Sequence, residues 1–113
     1  MDNRVLFAPE ASEALVRLYH SLIHRDGEAS ATAFIERFEA WCAALSDFPE
    51  RGIRRDDLFP GLRVLGFERR MAIAFHLGLD TVTIDLIAHG ARGRSLLQDG
   101  IVDSLFPATF LQG

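Results

Sequence analysis

The apolar positions of this chain change period once, and that change constrains the fold more than any other feature. Ala11, Ala14, Leu15, Leu18, Tyr19, Leu22 and Ile23 recur at spacings of three and four, the period of one helical face. Pro9 stands where a first helical turn tolerates it, and Gly27 where a left-handed cap would end the helix. A second stripe follows in Ala31, Phe34, Ile35, Phe38, Trp41, Cys42 and Leu45. Two such helices joined by about three residues must lie antiparallel, and neither can bury its stripe alone.

The surface they cover comes after the Phe48-Pro49-Glu50-Arg51-Gly52 loop, whose Phe and Pro are expected to anchor it. From there the period is two. Leu62, Val64 and Gly66 alternate with Arg63 and Leu65. Met71 to Leu77 is apolar on both sides, apart from His76, and predicts an interior strand; Gly78-Leu79-Asp80 predicts a turn. Val82, Ile84 and Leu86 alternate with Thr83 and Asp85, which predicts a strand with one wet face. Strands joined by tight turns form an antiparallel meander. With the β-prone Val5-Leu6-Phe7 in front, the order is β-α-α-β-β-β. The expected fold is an α+β two-layer domain with the helical hairpin on one face of an antiparallel sheet.

At 113 residues the chain is long enough for one core, burying roughly two-thirds of the unfolded surface. Cys42 is the lone cysteine, so no internal disulfide can form and a reducing compartment suits the chain. No apolar run approaches the roughly 20 residues of a membrane helix, and no signal peptide is visible, so a cytoplasmic protein is expected. All twelve basic residues are arginines. Residues 1–50 hold four of them against nine acids; residues 51–113 hold eight against seven. Arginine's planar fork suits carboxylates and phosphates, while the net charge of −4 argues against a broad nucleic-acid footprint. Residues 100–113 are oily for a terminus, with Ile101, Val102, Leu105, Phe106, Phe110 and Leu111. Such a segment must fold back onto the domain or dock on another chain.

Four motifs then occur in order on these elements: Phe7-Ala8-Pro9-Glu10-Ala11, the Phe48–Gly52 loop, Arg55-Asp56-Asp57-Leu58 with Pro60-Gly61-Leu62-Arg63, and His89-Gly90-Ala91-Arg92. Together they resemble the ParE branch of the RelE/ParE superfamily of type II toxins, found in plasmid-stabilisation modules. The likeness covers about residues 3–99, so 1–99 is taken as the toxin-like domain and 100–113 as an apolar extension. The resemblance implies a toxin silenced by a ParD-like antitoxin in a hetero-oligomeric complex. It also implies DNA gyrase as the target, inhibited by protein–protein binding without direct sequence-specific contact to nucleic acid. The RelE-like cousins instead cut messenger RNA on the ribosome, and a decayed toxin would retain antitoxin binding alone.

The two branches share a fold, so the residues must separate them. RNA cleavage needs a base for the 2′-hydroxyl, charge stabilisation at the phosphate and an acid for the leaving oxygen. There is no lysine, and the single tyrosine, Tyr19, falls on the first helix's apolar stripe. If RNA is cleaved, the residues available are His89, Arg92 and Arg69. A binding role is favoured, with Arg63, Arg69, Arg70, His89, Arg92 and Arg94 orienting acidic groups of a partner along a cleft between hairpin and sheet. His20 and His24 share a helix face, but His-Ser-Leu-Ile-His lacks the glutamate of a zinc protease, and no metal or cofactor is expected. His76 is expected to be a hydrogen-bonded core residue.

Overall fold

In a computed structural model of the chain, residues 4–68 and 71–89 are described. Strand β1 (Arg4–Phe7) leads into helices α1 (Pro9–Asp26) and α2 (Glu28–Ala43), and a 3-10 turn (Ala44–Ser46) follows. Strands β2 (Ile53–Arg54), β3 (Arg63–Phe67), β4 (Met71–Leu77) and β5 (Thr81–His89) complete the described chain. The hairpin is tighter than the spacing suggested, because Gly27 alone joins the helices. Its N–H bonds the Ile23 carbonyl at 2.9 Å, and its carbonyl accepts the Ala31 N–H at 3.0 Å. It does so at φ +91° and ψ 162°, a conformation that glycine permits but not the left-handed helical cap expected of it. Among the described residues, no helix is long and apolar enough to cross a membrane.

The sheet has the order β1-β5-β4-β3-β2. Strands β3, β4 and β5 form the expected antiparallel meander. The expectation of a wholly antiparallel sheet is corrected at one edge: β1 pairs parallel with β5, so the sheet is mixed. No tight turn joins these two strands; the rest of the domain lies between them, which leaves their relative direction free of hairpin geometry. The second addition is β2, too short to carry a periodic signal, paired antiparallel with β3 at the far edge.

The helices cover one face. Ala11 and Leu18 of α1 and Phe38 and Cys42 of α2 meet Phe67, Met71, Ile73, Phe75, Val82, Ile84 and Ile87 of the strands. Phe38 is fully buried, its ring 5.4 Å from that of Phe67 and 5.8 Å from that of Trp41. The opposite face of β3 and β4 is covered by the 55–62 loop, whose Leu58, Phe59 and Leu62 close over Val64, Ala72, Ala74 and Ala88. This is why β4 reads as apolar on both sides.

That loop explains the Arg55–Arg63 motif. Arg55 is buried and holds Asp57 through two 3.0 Å bonds, Nε to Oδ1 and Nη2 to Oδ2. The Gly61 N–H donates to Asp56 Oδ1 at 2.8 Å, with Gly61 at φ +82°. The arginine-rich stretch therefore spends part of its charge on holding a loop in shape. Phe48, by contrast, is 67% exposed, so it does not anchor its loop as expected.

One register error in the sequence reading has a clear cause. Between Ala74 and Phe75 the β4–β5 pairing shifts: Ala74 opposes Leu86 while Phe75 opposes Ile84. Asp85 is the extra residue of a β-bulge, which sends Ile87 to the helix face in place of Leu86. Strict alternation predicted the reverse, with Asp85 in water; Asp85 is buried.

Candidate partner-binding groove

The α1–α2 turn overhangs the end of the sheet where β3 turns into β4 and β5 finishes. Between them runs a groove of about 1220 Å³, lined on the helix side by Leu18, Leu22, Arg25, Ala33, Phe34 and Arg37 and on the sheet side by Glu68, Met71 and His89. Its floor is apolar, because the stripes that build the core continue to the hairpin turn beyond the sheet that would cover them. Its rim is charged. Arg37 grips Glu68 with Nε to Oε2 at 3.0 Å and Nη2 to Oε1 at 3.1 Å, and its guanidinium lies 5.4 Å from the Phe34 ring centroid. Glu68 adopts φ +49°, a left-handed conformation for a residue with a side chain. Arg25 pairs with Asp26 at 3.4 Å on an exposed part of the rim.

The residues singled out in the sequence fall in three groups. His89 is exposed at the end of β5 and lines the groove. Arg63 does not: it opposes Phe75 on β4, whereas His89 opposes Met71, four residues and about 13 Å further along that strand. Arg63 sits instead across from Arg54, which bonds Asp56 at 3.2 Å; the Gly61 N–H first, then Arg54 and last the charge of Arg63 hold the Asp56 carboxyl below its ordinary value. Arg69, Arg70, Arg92 and Arg94, like the 100–113 extension, lie outside the described residues. The chain positions 69 and 70 do stand between two groove-lining residues, Glu68 and Met71.

Arg25, Arg37 and Glu68 were missed. The signal for Arg37 was present: Ser30, Ala33, Phe34 and Arg37 make a second stripe on α2, rotated from the core stripe and mixed in polarity. A search for purely apolar periodicity passes over it.

His76 shares a 2.7 Å Nδ1–Oδ2 hydrogen bond with Asp85. The bond was expected, but the imidazole is not enclosed in the core, its side chain being 40% exposed. Burial pushes the Asp85 carboxyl above its ordinary value, against the pull of His76, and Glu10 adds to the push. Burial likewise pushes the Cys42 thiol up to about 12, helped by Glu39, so it stays protonated. Tyr19 bonds Thr32 at 3.2 Å and links the two helices. Among the described residues no three His, Cys, Asp or Glu side chains are placed to hold a metal ion.

The raised Asp85 value fixes a pH dependence. Stability associated with its neutral form is fully present below the unfolded carboxyl value and is lost as pH rises through the higher folded value. Asp85→Asn keeps an acceptor for His76 without a charge. The stability of the variant relative to the parent should therefore increase in urea titrations as pH rises above the ordinary carboxyl value of about 4. A difference that stays flat over that rise contradicts a raised carboxyl.

Comparison with known proteins agrees with this architecture. The family model described as the ParE toxin of the type II toxin-antitoxin system, parDE, matches residues 5–94. A solved chain from the chromosomal ParDE TA system of P. aeruginosa superposes with a TM-score of 0.68 at 19% identity, over 78% of this chain and 96% of that one. At that identity the likeness concerns the fold. No curated protein matches the sequence.

Proposed function

This chain belongs to the ParE toxin family of type II toxin–antitoxin systems, and on that footing we propose that it is a cytoplasmic toxin silenced by a ParD-like antitoxin seated in the hairpin groove. The observation that carries the reading is the groove itself: an apolar floor of Leu22, Ala33, Phe34 and Met71 between charged rims. An amphipathic antitoxin helix fits such a surface, with the floor supplying affinity and Arg25, Arg37, Glu68 and His89 setting orientation. The arginines at 69, 70, 92 and 94 extend the same role on either side of the groove in sequence, and Arg63 serves a partner long enough to wrap the sheet edge.

The free toxin acts on DNA gyrase by binding it. This target is favoured over RNA cleavage because the chain has no lysine and its single tyrosine, Tyr19, is engaged with Thr32 between the helices. Purified protein added to gyrase and relaxed plasmid should block supercoiling or accumulate cleaved DNA. No effect at stoichiometric excess contradicts the gyrase target. One observation favours a second reading, messenger-RNA cleavage: Asp85 holds the half-exposed His76 through Nδ1, which leaves Nε2 as a proton acceptor. Primer extension on a translated message after induction separates the two, because only the nuclease leaves cuts within codons.

A further inference from the structure

The described chain stops at His89, on the wall of the groove, and residues 90–113 follow. The family match ends at residue 94. The ParDE relative is covered over 96% of its own length but accounts for only 78% of this chain. The shared fold is therefore complete without about a fifth of the sequence. Beyond the family match, Ile101, Val102, Leu105 and Phe106 recur at i, i+1, i+4 and i+5, the spacing of one helical face, just ahead of Pro107. Residues 100–113 contain one acid, Asp103, and no base. A face of that kind is unfavourable in water, and the groove floor of Leu18, Leu22, Ala33, Phe34 and Met71 is its complement.

Reach does not limit the contact. Residues 90–99 can span up to about 33 Å, whereas Leu18 to Arg25 rises only about 10 Å along α1. A second hollow, where Phe48, Leu77 and Leu79 stand among Asp47, Glu50 and Arg51, lies beside the start of β5, about 27 Å from its end. The groove is the nearer surface.

We propose that residues 100–113 seat the Ile101–Phe106 face in the hairpin groove, so that the chain covers with its own tail the surface offered to the antitoxin. The second half of this statement rests on the antitoxin reading above; the first does not. The contact is intramolecular, so the tail acts at an effective concentration in the millimolar range. A tail of intrinsic Kd about 100 μM is then docked about 90% of the time and weakens the apparent antitoxin affinity about tenfold.

The test uses the full chain carrying Leu105→Asp and Phe106→Asp, with Trp41 fluorescence confirming the native fold. Amide exchange within 18–37 and at 71 should quicken by about fivefold or more, and antitoxin affinity should rise about tenfold. Unchanged exchange in those segments overturns the proposal. So does protection in the parent chain that disappears on dilution, because it assigns the groove to the tail of a second copy. Quickened exchange without any gain in affinity leaves the tail contact standing and contradicts the seating of the antitoxin in the groove. As a second measurement, a spin label on Ser104→Cys, beside the apolar face and not part of it, in a Cys42→Ala background should broaden the methyl signals of Ala33 and Met71. Broadening at Leu79 instead, or nowhere, overturns the proposal.

Discussion

Phe38→Ala should lower the unfolding free energy by about 3–5 kcal/mol, among the largest losses expected from truncating a described core residue. The ring is fully buried and completes an aromatic cluster in which Trp41 lies 4.8 Å and Phe34 5.8 Å from the Phe67 ring. Removing it leaves a cavity between α2 and the β3–β4 hairpin, where neighbouring rings in close contact have little freedom to collapse. The loss is of the order of a small domain's whole stability, so the variant should be partly unfolded without denaturant. Trp41, the only tryptophan, sits in that cluster and reports the transition directly in a urea titration. A loss below about 1 kcal/mol means that the cluster is loosely packed and that the hairpin is held to the sheet by other contacts.

The second large effect concerns binding. Ala33 is exposed on α2 yet lines the groove, so Ala33→Glu introduces bulk and charge there without taking anything from the core. Glutamate is a good helix former, and the thermal midpoint should move little. Affinity for the antitoxin should fall about a hundredfold, equivalent to about 2.7 kcal/mol, because a desolvated carboxylate clashes with the apolar face that seats there. Titration calorimetry checks the value. An equivalent wedge at Val16, which is exposed on α1 but outside the groove, should leave affinity unchanged.

The architecture was largely legible in the sequence because it is written in periods. The two stripes from Ala11 to Leu45 and the alternation from Leu62 to Leu86 specify helix, helix and meander, and burying one against the other leaves little choice of layers. What escaped was local or non-periodic. Asp85 breaks an alternation with one extra residue, and no pattern in Val82–Leu86 announces it. β2 is two residues long. The β1–β5 pairing joins segments more than seventy residues apart, and a run as short as Arg4–Phe7 carries no indication of direction.

The groove was legible in outline and misread in detail. A cleft between hairpin and sheet follows from the layering, and His89 follows from its motif. Arg63 drew notice for its charge, yet strand pairing carries it to the far end of β3. Arg37 lies on a stripe of mixed polarity that apolar periodicity does not pick out, and the tertiary contact with Glu68 is what makes it part of a rim. The Arg55–Asp57 pair shows the opposite failure: residues that look made for a partner are bound to one another within a loop.

Methyl NMR of the toxin titrated with its cognate antitoxin tests most directly whether the hairpin groove receives the partner. Saturating antitoxin should shift the methyl signals of Leu22, Ala33 and Met71 while those of Leu79 and Ile53 stay in place. Shifts confined to Leu79 and Ile53, with the groove methyls unmoved, would place the partner at the opposite end of the sheet and contradict the account.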